Sequence, residues 1–208
     1  FTPSAIARLQ LRVRTIVQGI LSRAAVRPAI DFVREVAYPL PITVITEMMG
    51  VPENERANFK EWSGSIVRFM ATPRPSQDTL IASNDGLVRM RERFRQLASD
   101  RQRGPSDDPI STLVQARDAG DRLNDEEMIS TLTTILIGGH ETTTNLLGTS
   151  VLRLHQNPDQ REQLRTNPSL VRNAVEELLR FDAPFQRNRR VVMSDCELQG
   201  QKIRRGDI

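Results

Sequence analysis

The chain has 208 residues, 38% hydrophobic and 26% charged, a composition that can bury a real core and belongs to an ordinary globular protein. No apolar run approaches the roughly 20 residues of a membrane span, and the opening FTPSAIARLQLRVR has no apolar centre like that of a signal peptide, so membrane and secreted classes are set aside and a cytoplasmic setting is expected. The net charge of +3, with only Lys60 and Lys202 among the 29 basic residues, carries no nucleic-acid signal, and the single cysteine, Cys196, forms neither an internal disulfide nor a multi-cysteine metal site.

Helical periodicity dominates, with about seven helices expected between breaks at proline, glycine and Asn/Asp clusters. The first runs from about Pro3 to Ala25, with Ile6, Leu9, Val13, Ile16, Val17 and Ile20 on one side. In DFVREVAYPLPITVITEMMGVP a helix enters at Pro41 and stops at Gly50 and Pro52, and Ile42, Ile45 and Met49 mark its buried face. Helices follow at about Glu53 to Ala71 and Ser76 to Arg103. In the second of these, RMRERFRQ places arginines at alternate positions, which scatters them around a helix axis as a solvated surface. The loop RGPSDDP then leads to a short helix at Ile110 to Ala119.

The next helix is the informative one. Asn124 followed by Glu127 reads as a capping box, and the apolar phase runs through Met128, Leu132, Ile135, Leu136, Gly139, Leu146, Leu147, Val151 and Leu154 until Asn157 and Pro158 end it. At ~1.5 Å per residue it is about 50 Å long and should cross the middle of a large fold. Two shorter helices open with Asn-Pro, in NPDQREQLRT and NPSLVRNAVEELLRF. Beyond Pro184 the alternation in RRVVMSDCELQGQKIRRGDI predicts two short strands around a turn near Gly200.

In the middle of the long helix, Gly138 and Gly139 each cost roughly 0.5 to 1 kcal/mol relative to alanine, so something should compensate. Thr142 lies one turn after Gly138 and can bond back to its carbonyl, opening a small polar pocket; Glu141, three residues after Gly138, can relay protons into it. Tight helix packing with local capping by the threonines explains the same residues equally well. A zinc site fails, because the second histidine of an H-E-x-x-H motif is replaced by Thr144 and His155 lies fifteen residues from His140.

At these residues LIGGHETTTNLL resembles the oxygen-binding motif on the long central helix of cytochromes P450, the haem-thiolate monooxygenases, with pattern Ala/Gly-Gly-x-Asp/Glu-Thr. Gly138, Gly139, His140, Glu141 and Thr142 occupy it. EELLR matches the family's E-x-x-R through Glu177 and Arg180, an i, i+3 pair that the resemblance places in a buried network bracing the core. The strand pair after it resembles the family's propionate-binding strands, which assigns Arg190 to a haem propionate, with Arg187 and Arg189 as alternatives. FTPSAIARL, YPLPITVITEMMGVP and DRLNDEEMISTL are similar to soluble bacterial members, so the resemblance spans the chain.

The resemblance implies a mainly α fold, a helical bundle around one long central helix with a short β-hairpin near the C-terminal end. It implies haem b (iron protoporphyrin IX), a small hydrophobic organic substrate that is hydroxylated or epoxidised, and an electron donor of the ferredoxin and ferredoxin reductase type. By the same analogy Glu141 and Thr142 are catalytic, Gly138 and Gly139 make room for the cofactor, and Thr134, Ile137, Gly138, Phe185 and Gln186 line the substrate pocket. The family's iron-ligand loop, Phe-x-x-Gly-x-x-x-Cys-x-Gly, has no counterpart, and Cys196 in MSDCELQGQ does not match it. Residues 1–208 are therefore expected to be an internal part of a single domain, inactive alone. The alternative is a degenerate, haem-free helical scaffold or binding protein.

Overall fold

A computed structural model describes residues 3–118, 123–186 and 190–207. Among the described residues it contains eight α-helices and one two-stranded sheet. The helices are α1 (Pro3–Ala25), α2 (Pro39–Met48), α3 (Arg56–Ala71), α4 (Gln77–Arg103), α5 (Pro109–Asp118), α6 (Asp125–Gln156), α7 (Pro158–Thr166) and α8 (Val171–Phe181). The antiparallel strands β1 (Cys196–Leu198) and β2 (Gln201–Ile203) pair Cys196 with Ile203 and Leu198 with Gln201, around a turn at Gly200 with φ of 77°. The expected architecture holds, and the eight helices correspond one to one to the segments that the sequence marks out.

One local feature departs from the sequence reading. Val33–Ala37 forms a π-helical turn, in which the Tyr38 N–H donates to the Val33 carbonyl at 2.9 Å, and α2 begins at Pro39 instead of Pro41. Proline at the first helical position needs no N–H donor, so Pro39 starts a new helix where the π turn ends. The far end of α2 follows the sequence: Gly50, at φ 68°, donates to the Glu47 carbonyl at 2.9 Å while Val51 donates to the Thr46 carbonyl at 2.9 Å. This is a Schellman closure, and it needs the left-handed conformation that glycine adopts without strain.

The core lies between α2, α3, α4 and α5 on one side and the first twenty residues of α6 on the other. Phe59, Phe94, Met49, Met90, Ile110, Met128, Ile129, Leu132 and Leu136 are all essentially inaccessible. Phe59 stacks at a tilt against both Trp62 and Phe94, each with ring centroids 5.2 Å away. The α3–α4 hairpin is tight because Gly86 carries no side chain: a Cβ there would sit 2.9 Å from the Trp62 carbonyl oxygen. Among the alternating arginines of α4, Arg89 and Arg95 are exposed as the pattern predicts, whereas Arg91 and Arg93 are partly buried against acidic partners from other elements. Arg93 forks onto Glu55, while Arg91 and Arg95 share Glu126 at the start of α6.

Candidate functional site

The site is placed by the way α6 begins. Asn124 accepts from the Glu127 N–H at 2.9 Å and the Glu127 carboxylate accepts from the Asn124 N–H at 2.9 Å, closing the capping box and fixing the helical phase. That phase sends Met128, Ile129, Leu132 and Leu136 into the core and turns Gly138 out of it. A side chain at Gly138 would meet nothing within 4 Å, so this face of the helix is open. The Thr142 hydroxyl donates to the Gly138 carbonyl at 2.8 Å, the back-bond expected from the spacing.

The two glycines do different work. A Cβ at Gly139 would lie 3.0 Å from Cδ1 of Ile45, so its missing side chain admits α2 against α6. Of the two glycines expected to make room for a cofactor, Gly138 holds the open wall, while Gly139, one residue further round the helix, faces Ile45 of α2. Ile137 is also drawn inward, packed in part against the core, whereas Thr134 is exposed with its hydroxyl on the Ser130 carbonyl at 2.8 Å.

Glu141 and His140 form the electrostatic part of the site. Burial raises the Glu141 carboxyl above its ordinary value, which favours a protonated acid in a half-buried position. His140 is fully buried, and the same cause pushes its imidazole down to about 4, so it is neutral around pH 7. Its Nε2 lies 2.9 Å from the Ser63 hydroxyl of α3 and 3.8 Å from Oε1 of Glu141, and its ring meets the Tyr38 ring edge-on at 6.3 Å. Tyr38 is itself raised, first by burial and then by the charge of Glu141. Thr144, one turn beyond His140, is buried with a hydroxyl that has no partner among the described residues. The sequence reading weighed His140 only as a zinc ligand. Its place in the stripe Leu132, Leu136, His140, and that of Ser63 in the stripe Phe59, Ser63, Ile66, were the signals for a buried polar contact.

The remaining candidates lie elsewhere. Phe185 and Gln186 are exposed, on a segment tied to the far end of α6, where Arg153 forks onto Asp182 at 2.8 and 3.0 Å. That anchor is fifteen residues, about 22 Å, along the helix from Gly138. Glu177 and Arg180 form their i, i+3 pair at 2.7 Å, but their side chains are 56% and 69% exposed. The apolar flank of α8, including Val171, Val175 and Leu179, has no described element over it, so among the described residues the pair is open to water. Arg190 is exposed on the extended segment before β1; Arg187 and Arg189 lie outside the described residues. Cys196 is exposed on β1, as its sequence context predicts. Among the described residues no cluster of three or more His, Cys, Asp or Glu side chains can hold a metal, and no helix is long and apolar enough to cross a membrane. An open recess of about 480 Å³ lies not at Gly138 but along α3, lined by Tyr38, Lys60, Gly64 and Arg68 among others.

Comparison with known proteins gives the arrangement its context. The family model described as Cytochrome P450 matches residues 77–208. The biotin biosynthesis cytochrome P450 of Bacillus subtilis is 37% identical over 207 residues, covering all of this chain and 52% of that protein. The structure of P450BioI in complex with hexadec-9Z-enoic acid ligated acyl carrier protein superposes with a TM-score of 0.90 at 37% identity, over all of this chain and 53% of that one. CYP109E1 from Bacillus megaterium in complex with testosterone gives a TM-score of 0.89 at 32% identity, over all of this chain and 54% of that one. The chain thus spans about half the length of the curated relatives it matches. With its long capped helix, its open Gly138 turn and a family model covering most of its length, the chain belongs to the cytochrome P450 family.

Proposed function

We propose that residues 1–208 are part of a single haem-binding domain and supply the oxygen-side helix of a monooxygenase. The family's cofactor is haem b, and the residues present fit its distal face. Gly138 leaves an open wall, with nothing within 4 Å of its missing Cβ, Thr142 sets a hydroxyl beside it, and Glu141 adds a carboxyl raised by burial. Arg190 would hold a propionate through its guanidinium, a geometry suited to carboxylates. The thiolate ligand is a different matter: Cys196 is exposed on the hairpin, and its surroundings do not suit it to that role. Bound haem would supply the redox chemistry, in which dioxygen, two electrons and two protons give one oxygen atom to the substrate and one to water.

The chain's own residues handle protons and space. Raised by burial, the Glu141 carboxyl keeps its proton to a higher pH than an ordinary carboxylate and can release it from its carboxyl oxygen, a property that suits a general acid. Thr142 spends its one hydroxyl proton on the Gly138 carbonyl, so its oxygen stays available as an acceptor. The substrate is a small hydrophobic molecule that is hydroxylated or epoxidised, in line with the fatty acyl and steroid ligands named for the two similar structures. A ferredoxin-type donor and a cytoplasmic setting complete the reading. The apolar flank of α8 supports placing this chain inside a larger domain, since relatives are about twice as long.

The observation that carries the proposal is the Thr142 to Gly138 bond at an open helix face. In a full-length protein bearing this segment, Thr142→Ala should uncouple electron consumption from product, with hydrogen peroxide released in its place. A product-to-electron ratio equal to that of the parent would remove Thr142 from the mechanism.

A further inference from the structure

We infer that His140 is a positioning residue that ties α3 to α6 through Ser63 and fixes the turn of α6 carrying Glu141. This takes the importance of Glu141 from the function proposed above, but the tether itself is a property of the chain alone.

The contact is specific in its chemistry. Ser63 has one hydroxyl proton, and its Oγ lies 2.8 Å from the Phe59 carbonyl and 3.1 Å from that of Lys60, both on its own helix. In the proposed arrangement that proton goes to the Phe59 carbonyl, the nearest of its acceptors, and the 2.9 Å contact to His140 is an N–H on Nε2 donating to Oγ. Nδ1 is then bare, in keeping with its 3.4 Å separation from the Ile137 carbonyl, which is long for a hydrogen bond. The Nε2–H tautomer is thus part of the inference, and the reverse arrangement would put the proton on Nδ1, facing the Ile137 carbonyl. Among the described residues this is the only side-chain hydrogen bond between α3 and α6, whereas α3 and α4 interlock closely at Gly86.

The tether closes a ring of contacts. His140 meets the Tyr38 ring, Lys60 places its ammonium over that same ring 4.3 Å from the centroid, and Lys60 returns the path to α3 three residues before Ser63. The charged and titratable groups around His140 are thus Glu141 on its own helix, Lys60 on α3 and Tyr38 at the entry to α2. Glu141 is its nearest acidic neighbour, with Oε1 3.8 Å from Nε2. While the imidazole stays uncharged it offers Glu141 no cation, and the carboxyl keeps the elevation that burial imposes. If α3 lifts away, water reaches both groups and that elevation falls.

The chain has only two histidines, His140 and the exposed His155, so nitrogen-15 NMR of the 208-residue chain resolves them without haem. His140 should show the neutral Nε2–H tautomer from pH 8 down to about 5. Ser63→Ala should displace its Nε2 resonance, speed amide exchange in α3 by about two- to tenfold, and move the carbon-13 titration midpoint of Glu141 down toward the ordinary carboxylate range. Ser63→Thr, which keeps a hydroxyl, should restore all three. An Nδ1–H tautomer or a charged ring at pH 7 in the parent chain overturns the inference before any variant is made. Unchanged α3 exchange, or an unmoved Glu141 midpoint in Ser63→Ala, overturns it as well. Because no step uses haem, these outcomes are independent of the Thr142→Ala result.

Discussion

The two halves of α6 make opposite use of similar sequence. Up to Thr144 the helix buries seven residues, from Met128 to Thr144, against α2 to α5; beyond it Val151 and Leu152 are exposed, and α7 and α8 bury no residue fully. Both regions carry the apolar spacing of an amphipathic helix, and α8 carries it strongly with Val171, Val175 and Leu179. Periodicity therefore reports a face that can be buried. Whether it is buried depends on a second surface being there to receive it.

The largest test of this contrast is in the packed half. Leu132→Ala removes a fully buried side chain and should cost about 2 to 5 kcal/mol of unfolding free energy in a urea titration; a cost under 1 kcal/mol would mean that the half taken here as a rigid core is loosely packed.

Next comes the pH dependence of the same half. The folded His140 value of about 4 lies below the roughly 6.5 of an unfolded histidine, so between these values the unfolded chain binds more protons. Its contribution to stability is full above about pH 6.5 and is lost as the pH falls toward 4, by at most about 3 kcal/mol. Glu141 acts in the reverse sense: its raised folded value favours the folded state at low pH, and that benefit is lost as the pH rises through it. Urea titrations of the parent and His140→Asn between pH 7 and 4.5 isolate the histidine, and parallel pH profiles would refute its burial as a neutral ring.

The smallest effect is expected in the open half. Val175, 44% exposed on α8, should tolerate Val175→Ala within about 0.5 kcal/mol in this chain. A cost near that of Leu132→Ala would show that something covers α8 in solution.

Much of this was legible in the sequence for local reasons. The capping box at Asn124 and Glu127 and the Gly50 stop each depend on residues a few positions apart. So does the hydroxyl bond from Thr142 to Gly138, and so does the hairpin turn at Gly200. The Glu177–Arg180 pair was equally readable as a pair, because i, i+3 spacing brings the side chains together on any helix. Its exposure was not readable, since that depends on what lies over α8.

By itself, then, the sequence determined the helices, their caps, the phase of α6 and the Gly-Gly-His-Glu-Thr motif that the family shares. Only the tertiary structure decided that Gly138 opens outward while Gly139 receives Ile45, that His140 reaches Ser63 across 77 residues of chain, and that Glu141 is raised by burial. The physical reason is one of range. Hydrogen bonds along a helix are set by spacing, whereas contact between helices and the loss of water around a charge exist only once separate segments have packed.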